Sequence, residues 1–277
     1  MSGIPLLSGR DVERAVPPER ALEAVRDAFV RFARGEWTMQ PKLYVTNYPA
    51  GDFRAMPALG GGHALLKWVT SFPGNPARGL PTVTGLVLLS NADTGQLEAV
   101  LDAAAVTALR TAAAGVLAAD TLCRAGATSY AVVGCGVNGA ETTRMLVAHG
   151  VVPAVWDVDH ARRELVAERL GARVAASLEE ALAAEVVVTV TPGASVLYPA
   201  GSLAIGQHVS LMGADGPGKA EVAVEELGRV LAGDADGRRS AEDVTLFDST
   251  GLAIQDLAIA KAAVAKVEAL ELPRVEL

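Results

Sequence analysis

Short apolar runs alternate with helical segments through the middle of the chain, between residues 129 and 212. The runs are apolar throughout instead of alternating apolar with polar residues, which indicates strands that are buried on both faces. Strands of this kind, joined by helices, form a parallel sheet that is covered by helices on both sides. We therefore predict a doubly wound parallel sheet with strands at 130–133, 154–156, 173–175, 186–190 and 208–212.

A glycine motif lies between the first of these strands and the helix that follows it. Gly134, Gly136 and Gly139 have the Gly-x-Gly-x-x-Gly spacing, and Asp157 ends the next strand. In a dinucleotide site the first glycine permits a tight turn, the second admits the pyrophosphate, and the third lets helix and strand pack closely. The pattern predicts a Rossmann-type NAD site; the alternative is a glycine-rich turn that binds no nucleotide. The residues assigned to the cofactor here are Gly134, Gly136, Val137, Asn138, Gly139 and Asp157.

Charges near Asp157 bear on the choice between NAD and NADP. A carboxylate at this position hydrogen-bonds the ribose hydroxyls and repels a 2′-phosphate, and Asp159 adds to that repulsion. Arg162 and Arg163 follow on the next predicted helix and offer an alternative, because they are able to accommodate a 2′-phosphate. We predict NAD, with NADP as the less favoured cofactor.

The first third of the chain has a different, α+β pattern. Apolar residues at helical spacing predict a helix over 18–34, with Gly35 just beyond its end. Extended runs broken by Gly and Pro follow at 43–48, 53–57, 64–70, 82–89 and 97–101. A long Ala-rich helix is predicted at 102–122, and an amphipathic helix at 248–267.

Composition excludes several classes of function. The formal net charge is −8 and aromatic residues make up 4% of the chain, which disfavours nucleic acid as a partner. Two cysteines, without metal-ligand spacing, and an N-terminus without a signal-peptide pattern favour a cytoplasmic protein. The four histidines are scattered and we expect each to be solvated or to cap an element, so no metal site is predicted. Apolar stretches are interrupted by charge, and we expect no membrane span.

Four charged residues stand in apolar or structured surroundings. They are Arg54, Lys67 and Arg110 in the first third of the chain and Asp215 after the last predicted strand. Taken singly, each has an ordinary explanation: cations on strands are usually solvated at an edge, Arg110 would form a salt bridge on a helix surface, and Asp215 would cap a loop.

The segments that carry these residues resemble the ornithine cyclodeaminase/μ-crystallin family. The likeness runs through most of the chain, and its motifs occur in the same order. They are Phe-Arg-Ala-Met-Pro at 53–57, Lys-Trp-Val-Thr-Ser-Phe-Pro-Gly-Asn-Pro-Ala-Arg-Gly-Leu-Pro-Thr-Val-Thr-Gly at 67–85, Thr-Ala-Leu-Arg-Thr-Ala-Ala-Ala at 107–114, Gly-Ala-Asp-Gly-Pro-Gly-Lys-Ala-Glu at 213–221, and Leu-Phe-Asp-Ser-Thr-Gly-Leu-Ala-Ile-Gln-Asp at 246–256.

The resemblance implies a Rossmann domain inserted in an α+β substrate-binding and dimerisation domain. The outer domain would comprise residues 1–111 and 251–277, and the NAD-binding domain residues 112–250. A homodimer with NAD(P)-dependent chemistry on amino or imino acids is implied. Family members have a longer interval between the Lys-Ala-Glu and Phe-Asp-Ser-Thr-Gly motifs, so we expect the Rossmann domain to be shortened after about residue 221.

Carried over by motif, the resemblance also assigns roles to single residues. Lys67 and Arg110 would hold the substrate carboxylate, and Lys67 would also transfer a proton. Thr82 would lie against the nicotinamide or the substrate, and Asp215 would meet the amine. Thr111 and Thr191 complete the predicted cofactor-binding set.

Arg54 decides between branches of the family. Cyclodeaminases have a glutamate two residues before Met-Pro, where it binds a substrate amine, whereas this chain has an arginine. An arginine there resembles the alanine dehydrogenase branch, so we predict NAD-linked oxidative deamination of a small L-amino acid, alanine first. The alternatives are ornithine cyclodeamination to proline, reduction of a cyclic ketimine, and a ligand-binding, crystallin-like protein without turnover.

Overall fold

The computed structural model describes residues 3–191, 196–199, 201–213 and 227–276. The chain divides into two compact units. Unit 1 comprises Met1–Arg110 and Leu252–Leu277, and unit 2 comprises Thr111–Gly251. Unit 2 is thus inserted between two segments of unit 1, and its parallel sheet confirms the predicted Rossmann-type fold.

The elements of the described chain are numbered in chain order. The strands are β1 (Ile4–Leu7), β2 (Thr38–Met39), β3 (Leu43–Asn47), β4 (Gly51–Gly60), β5 (His63–Ser71), β6 (Val83–Asn91), β7 (Leu97–Asp102), β8 (Tyr130–Val133), β9 (Ala154–Trp156), β10 (Arg173–Val174), β11 (Val186–Thr189), β12 (His208–Leu211), β13 (Thr245–Asp248) and β14 (Arg274–Val275). The α-helices are α1 (Gly9–Ala15), α2 (Pro18–Ala33), α3 (Ala103–Leu122), α4 (Val137–Ala148), α5 (His160–Leu170), α6 (Leu178–Leu182), α7 (Leu227–Ala232) and α8 (Ala253–Val264). Short 3-10 helices lie at Asn75–Arg78 and Val267–Ala269.

Unit 1 contains a largely antiparallel sheet in the order β14-β1-β7-β6-β5-β4-β2, with β3 also paired to β4. Side chains alternate between the two faces of these strands. Met56 and Lys67 are cross-strand partners on the inner face and are buried, whereas Trp68 and Leu86, partners on the outer face, are exposed. The inner face therefore receives the helices, and α8 packs against β4, β5 and α2.

The last helix corrects a prediction. A helix over 248–267 with one polar face was expected, but α8 begins at Ala253 and is buried on almost every side. Its buried residues include Gln255 and Asp256 as well as its apolar ones. The reason is its position: α2 covers one side of α8 and the sheet covers another, so no broad face is left for solvent.

Unit 2 contains a parallel sheet in the order β10-β9-β8-β11-β12-β13. In unit order this is 3-2-1-4-5-6, the arrangement in which ligands bind where the strand order reverses, beside the first and fourth strands. The first and fourth strands here are β8 and β11, which pair directly. The sixth, β13, was not predicted; it pairs in parallel with β12, Thr245 lying opposite His208.

His208 corrects a second prediction, because it is neither solvated nor a cap. Its side chain is fully buried in β12, and its ring nitrogens lie 2.8 Å from Thr245 Oγ1 and 2.9 Å from Ser210 Oγ. Burial, with Arg238 nearby, lowers the pKa of His208 to about 3. A strand covered on both faces accepts a polar residue only when its hydrogen bonds are satisfied, as they are here.

Helix α3 is 20 residues long and apolar enough, by length and composition, to cross a membrane. The sequence predicts apolar stretches too short to span a bilayer, whereas this helix has the length of such a span. Of its most apolar window, 78% is buried inside the protein, so packing in the protein core accounts for its composition.

Candidate active site

The glycine motif forms the turn from β8 into α4. Gly134 has φ +104°, a conformation that residues with a side chain rarely adopt. A Cβ atom at Gly139 would collide with the carbonyl oxygen of Gly134, so helix and strand pack too closely for any other residue. At Gly136, by contrast, an added Cβ would meet no described atom within 4 Å. The turn thus needs its first and third glycines for the fold, whereas the second leaves open space.

Asp157 fixes this turn from the neighbouring strand. One carboxylate oxygen accepts a 2.6 Å hydrogen bond from the backbone N–H of Cys135, and the other accepts one of 2.9 Å from Asp159. Burial, followed by the nearby Asp157 carboxylate, raises the pKa of the Cys135 thiol to about 12. Cys135 is therefore a neutral spacer in the turn and Asp157 is its anchor, a role that the motif alone does not reveal.

The residues of the turn suit a dinucleotide. Helix α4 begins at Val137, and no described side chain caps its N-terminus. Val137 is 74% exposed although it is apolar. The backbone of Thr191, just after β11, lies beside Gly134. Free N–H groups at a helix N-terminus and open space at the second glycine are the features that bind a pyrophosphate.

The two arginines beyond Asp157 both have partners in the first turn of α5. Arg162 lies 3.6 Å from Asp159, and Arg163 lies 2.6 Å from the Nδ1 atom of His160. Asp159 also caps the helix by accepting from the backbone of Arg162. Negative and positive groups therefore alternate at this end of the sheet, with the buried Asp157 carboxylate closest to the glycine turn.

Unit 1 contains a buried charged cluster, which we define as Lys67, Arg110 and Asp256. The Nζ atom of Lys67, on β5, donates to Asp256 Oδ1 at 2.8 Å and to Thr107 Oγ1 at 3.0 Å. Arg110 Nε lies 3.4 Å from the same Asp256 oxygen. The side chains of Lys67, Arg110 and Asp256 are 1%, 11% and 0% exposed. Two cations thus share one carboxylate oxygen in the interior of the unit.

The environment changes the proton affinity of Lys67. Desolvation lowers its pKa to about 8, and Arg110 and Arg54 push in the same direction while Asp256 opposes them. A lysine with a pKa close to neutrality is able to exchange a proton during a reaction. Lys67 is therefore suited to acid–base chemistry as well as to binding an anion.

Arg54 lies on the same inner face as Lys67, at the position paired with Val69. Its guanidinium donates to both oxygens of Asp52, at 2.6 and 3.1 Å, and lies 5.4 Å from the centre of the Tyr44 ring. Asp52 is 4% exposed. The arginine is therefore held in one orientation by a carboxylate and an aromatic ring.

The structure brings together some of the predicted site residues but not all of them. Lys67, Arg110 and Arg54 meet on the inner face of unit 1. Thr82 lies just before β6, where its carbonyl accepts from the backbone of Phe72. Thr111 follows Arg110 in α3, and its buried hydroxyl has no hydrogen-bond partner among the described residues. Asp215 lies outside the described residues.

Sequence reasoning missed three polar residues: Asp52, Thr107 and Asp256. Thr107 and Asp256 both lie in motifs that carry the family resemblance, and a carboxylate within the largely apolar segment 253–264 is a signal for a buried partner. Asp52 stands two residues before Arg54, the spacing that puts both on one face of a strand. Among the described residues, no three His, Cys, Asp or Glu side chains come together as a metal site.

Comparisons with known proteins identify the family of this chain. The family model for the ornithine cyclodeaminase/mu-crystallin family matches residues 6–225 and 221–270. An alanine dehydrogenase from Archaeoglobus fulgidus is 38% identical over 299 residues, covering 92% of each chain. An ornithine cyclodeaminase from Agrobacterium fabrum is 30% identical over 251 residues, covering 74% of this chain and 70% of the relative. A solved archaeal alanine dehydrogenase dimer with bound NAD has a TM-score of 0.91 at 34% identity, over 100% of both chains.

Proposed function

Because the chain belongs to the ornithine cyclodeaminase/mu-crystallin family, we propose that it is an NAD-dependent dehydrogenase that oxidatively deaminates a small L-amino acid, with L-alanine as the first candidate substrate. Its relatives include an alanine dehydrogenase and ornithine cyclodeaminases, so membership gives the class of enzyme without the reaction. The charged residues of unit 1 must select between these reactions.

The net charge of the inner face carries the proposal. Lys67, Arg110 and Arg54 supply three positive charges, and Asp256 and Asp52 supply two negative ones. Among the described residues, these five side chains carry one more positive than negative charge in a region that is almost fully buried, where an unbalanced charge is costly. The α-carboxylate of a substrate whose α-amine has lost its proton, as oxidation to the imine requires, balances this charge. A substrate with one carboxylate and a small neutral side chain fits this charge pattern.

The pairing of Arg54 disfavours a diamine. A second amine on the substrate needs a carboxylate or a carbonyl as its partner, and the carboxylate nearest to Arg54, Asp52, is already held by two hydrogen bonds. Arg54 itself would repel that amine. An apolar methyl group makes no such demand, which supports alanine over ornithine.

The reaction converts L-alanine, NAD and water into pyruvate, ammonium and NADH, with release of a proton. When bound at the glycine turn, NAD would supply the acceptor for the Cα hydrogen of the substrate, which leaves as a hydride. Arg110 and Lys67 bind the carboxylate and so orient the Cα–H bond. Lys67, with its pKa near 8, accepts a proton from the water that attacks the substrate imine and returns one to the departing amine. Asp215 is the proposed partner of that amine.

The cofactor of choice is NAD. The family relative solved with NAD supports a nicotinamide dinucleotide at the glycine turn. The buried Asp157 carboxylate keeps unused lone pairs after its two backbone contacts, and these accept from ribose hydroxyls. The same negative charge disfavours a 2′-phosphate. Unit 2 is thus the proposed NAD-binding domain, with Thr111 and Thr191 as further contacts, and unit 1 the substrate-binding domain.

The shortening of unit 2 after residue 221 stays part of the proposal. The two segments that match the family model meet at 221–225, which supports a shorter connection at that place. The glycine turn and Asp157 lie before it in the chain, so the shortening leaves their residues intact.

The outer face of the unit 1 sheet supports a homodimer. Leu43, Trp68 and Leu86 lie in one cross-strand row and are 62%, 42% and 52% exposed. A contiguous apolar face of this kind usually marks an interface, and the alanine dehydrogenase relative was solved as a dimer. A second copy of this chain is the proposed partner.

Both cysteines are free, which fits a proposed cytoplasmic setting.

The dimer has its own test. Trp68→Glu puts a charge at the centre of the row, and we expect the variant to elute as a monomer in size-exclusion chromatography with light scattering. His149→Glu, at an exposed position of unit 2, is the control and should leave the mass unchanged. A wild-type protein that is monomeric at micromolar concentration would contradict the proposal.

The function is tested by product analysis with the purified protein. L-alanine, L-ornithine and the cyclic imine Δ1-pyrroline-2-carboxylate are each supplied with NAD or NADH, and products are identified by mass spectrometry. We expect pyruvate and net NADH from L-alanine. Proline from ornithine without net NADH would make the protein a cyclodeaminase, consumption of NADH with the cyclic imine would make it a ketimine reductase, and NAD binding without any product would make it a binding protein.

A further inference from the structure

We propose that Asp256 is a positioning residue that aligns Lys67 and Arg110 for the substrate and holds the reacting proton on Lys67. The inference rests on the proposed function and adds to it a residue that touches neither the substrate nor the cofactor in that scheme. Its evidence is the geometry of the carboxylate, which lies on α8 while the groups it orders lie on β5 and α3.

The two oxygens of the Asp256 carboxylate differ in their hydrogen bonding. Oδ1 accepts from Lys67 at 2.8 Å and lies 3.4 Å from Arg110 Nε, whereas Oδ2 is buried and has no hydrogen-bond partner among the described residues. A carboxylate whose only purpose was to stabilise the fold would be expected to satisfy both oxygens. Gathering both cations on one oxygen fixes their separation, which is what binding a planar carboxylate requires.

Thr107 restricts Lys67 from a second direction. Its hydroxyl donates to the carbonyl of Ala103 at 2.6 Å, so its oxygen accepts from Lys67 at 3.0 Å. Two of the three N–H groups of the ammonium are therefore committed, to Thr107 and to Asp256. No described residue accepts from the third N–H group, which is left for the substrate, and Asp256 helps to set its direction.

The charges around Lys67 give Asp256 its second effect. The groups that act on its ammonium are Arg110 from α3, Arg54 from β4 and Asp256 from α8. The two arginines and burial favour the neutral amine, and Asp256 is the one group of the three that favours the ammonium. Removing the negative charge should therefore lower the pKa of Lys67 further. An opposite charge at this distance shifts a pKa by about 1–3 units.

The test uses Asp256→Asn in the full-length protein. The chain has five lysines, Lys42, Lys67, Lys219, Lys261 and Lys266, so lysine labelled with carbon-13 at Cε gives few NMR signals and Lys67→Arg assigns the one in question. We expect Lys67 to titrate near pH 8 in the wild type and about 1–3 pH units lower in Asp256→Asn. The corresponding limb of the pH profile of kcat/KM should move by the same amount, with kcat reduced at least about tenfold and KM changed less.

Two further variants keep the test decisive. Gln255→Leu alters the neighbouring, equally buried residue of α8 and should lower stability without moving the Lys67 titration. Asp256→Glu keeps the charge and moves the oxygen, so it should retain a Lys67 titration near pH 8 with a lowered kcat. If Asp256→Asn does not fold, Asp256→Glu decides, and an unchanged kcat would overturn the proposal.

The outcomes separate this inference from the proposed function. An unshifted Lys67 titration in folded Asp256→Asn, or a shift that Gln255→Leu reproduces, overturns the role of Asp256. A wild-type protein that deaminates none of the tested amino acids overturns the proposed function instead, and the NMR titration still decides whether Asp256 holds the proton on Lys67.

Discussion

Two buried polar networks, that of His208 in unit 2 and that of Lys67 in unit 1, differ in charge and in how fully their hydrogen bonds are satisfied. In unit 2, His208 has both ring nitrogens within hydrogen-bond distance of hydroxyls, and its lowered pKa keeps it neutral. In unit 1, Lys67 and Asp256 form an ion pair, and the buried atoms Arg110 Nε and Asp256 Oδ2 have no hydrogen-bond partner among the described residues. A satisfied, neutral network stabilises a fold, whereas a charged network with unmet bonds is prepared for a ligand.

The glycine turn of unit 2 offers a third case. In the proposed function, backbone N–H groups and the open space at Gly136 would hold the pyrophosphate, while the Asp157 carboxylate would meet the ribose. The proposed recognition therefore differs between the units: charge balance would select the substrate in unit 1, and open space beside the backbone would admit the pyrophosphate in unit 2.

The largest expected effect is in unit 1. Lys67→Ala removes the proposed contact with the substrate carboxylate and the proposed proton-transferring group, and we expect kcat/KM for L-alanine oxidation to fall by about 10³ or more, within the range for acid–base residues. NADH binding, measured by fluorescence, should be unchanged. Lys266→Ala, at an exposed position of the same unit, is the control and should behave like wild type. If kcat/KM falls less than tenfold in Lys67→Ala, the charged cluster has a structural role, like the His208 network.

The second prediction distinguishes two glycines of the turn, Gly136 for NAD binding and Gly139 for stability. Gly136→Ala should weaken NAD binding by at least about tenfold, or 1.4 kcal/mol, because the methyl group enters the open space. Its free energy of unfolding should change by less than about 0.5 kcal/mol. Gly139→Ala should instead destabilise the protein by about 1–3 kcal/mol, because its Cβ meets the Gly134 carbonyl. Isothermal calorimetry measures the NAD affinity, and urea unfolding measures the stability. An equal loss of stability in both variants would contradict the separate roles of Gly136 and Gly139.

A smaller effect is expected for cofactor choice. Asp157→Asn removes the charge that repels a 2′-phosphate while its amide oxygen still accepts from Cys135, so the preference for NAD over NADP should narrow by about tenfold. This preference is measured as the ratio of kcat/KM with NAD to kcat/KM with NADP. Arg163→Gln is the companion variant, and a larger change in that variant than in Asp157→Asn would identify a 2′-phosphate site.

A last prediction concerns pH and the neutral network of unit 2, and it bears on stability instead of activity. His208 has a pKa of about 3 in the folded protein against 6.5 for a free histidine, so the unfolded chain binds the proton first as pH falls. The contribution of His208 to the free energy of unfolding is therefore fully present above pH 6.5. It is lost as the pH falls from 6.5 toward 3, by at most about 1.4 kcal/mol per pH unit. Urea unfolding between pH 7 and pH 5 measures the slope, and His208→Asn should reduce it. An identical slope in the variant would show that His208 does not contribute.

Sequence predicted the parts of the molecule whose signals are local. The strands around Gly134 and the position of Asp157 follow from short patterns, and the structure has both where they were expected. Helix α2 begins at Pro18 as predicted, and Gly35 follows it in the left-handed conformation. In each case neighbours along the chain decide the conformation.

The parts that escaped prediction depend on distant partners. Strand β13 forms because Thr245–Asp248 pairs with one edge of β12. The four residues alone carry no pattern that predicts a strand. Asp256 pairs with Lys67, which is 189 positions away in the chain. The burial of His208 likewise depends on Thr245. Long-range pairing of polar groups leaves no periodic trace in a single sequence.

Transfer of hydrogen from the substrate to the cofactor is the defining step of the proposed oxidation and is measured with a deuterated substrate. The purified protein is incubated with NAD and L-alanine that carries deuterium at Cα, and the products are analysed by mass spectrometry and NMR. The proposed function predicts deuterium in NADH, at the nicotinamide C4 position, with one pyruvate formed for each NADH. Deuterium that stays in the amino acid, with no pyruvate formed, would contradict it.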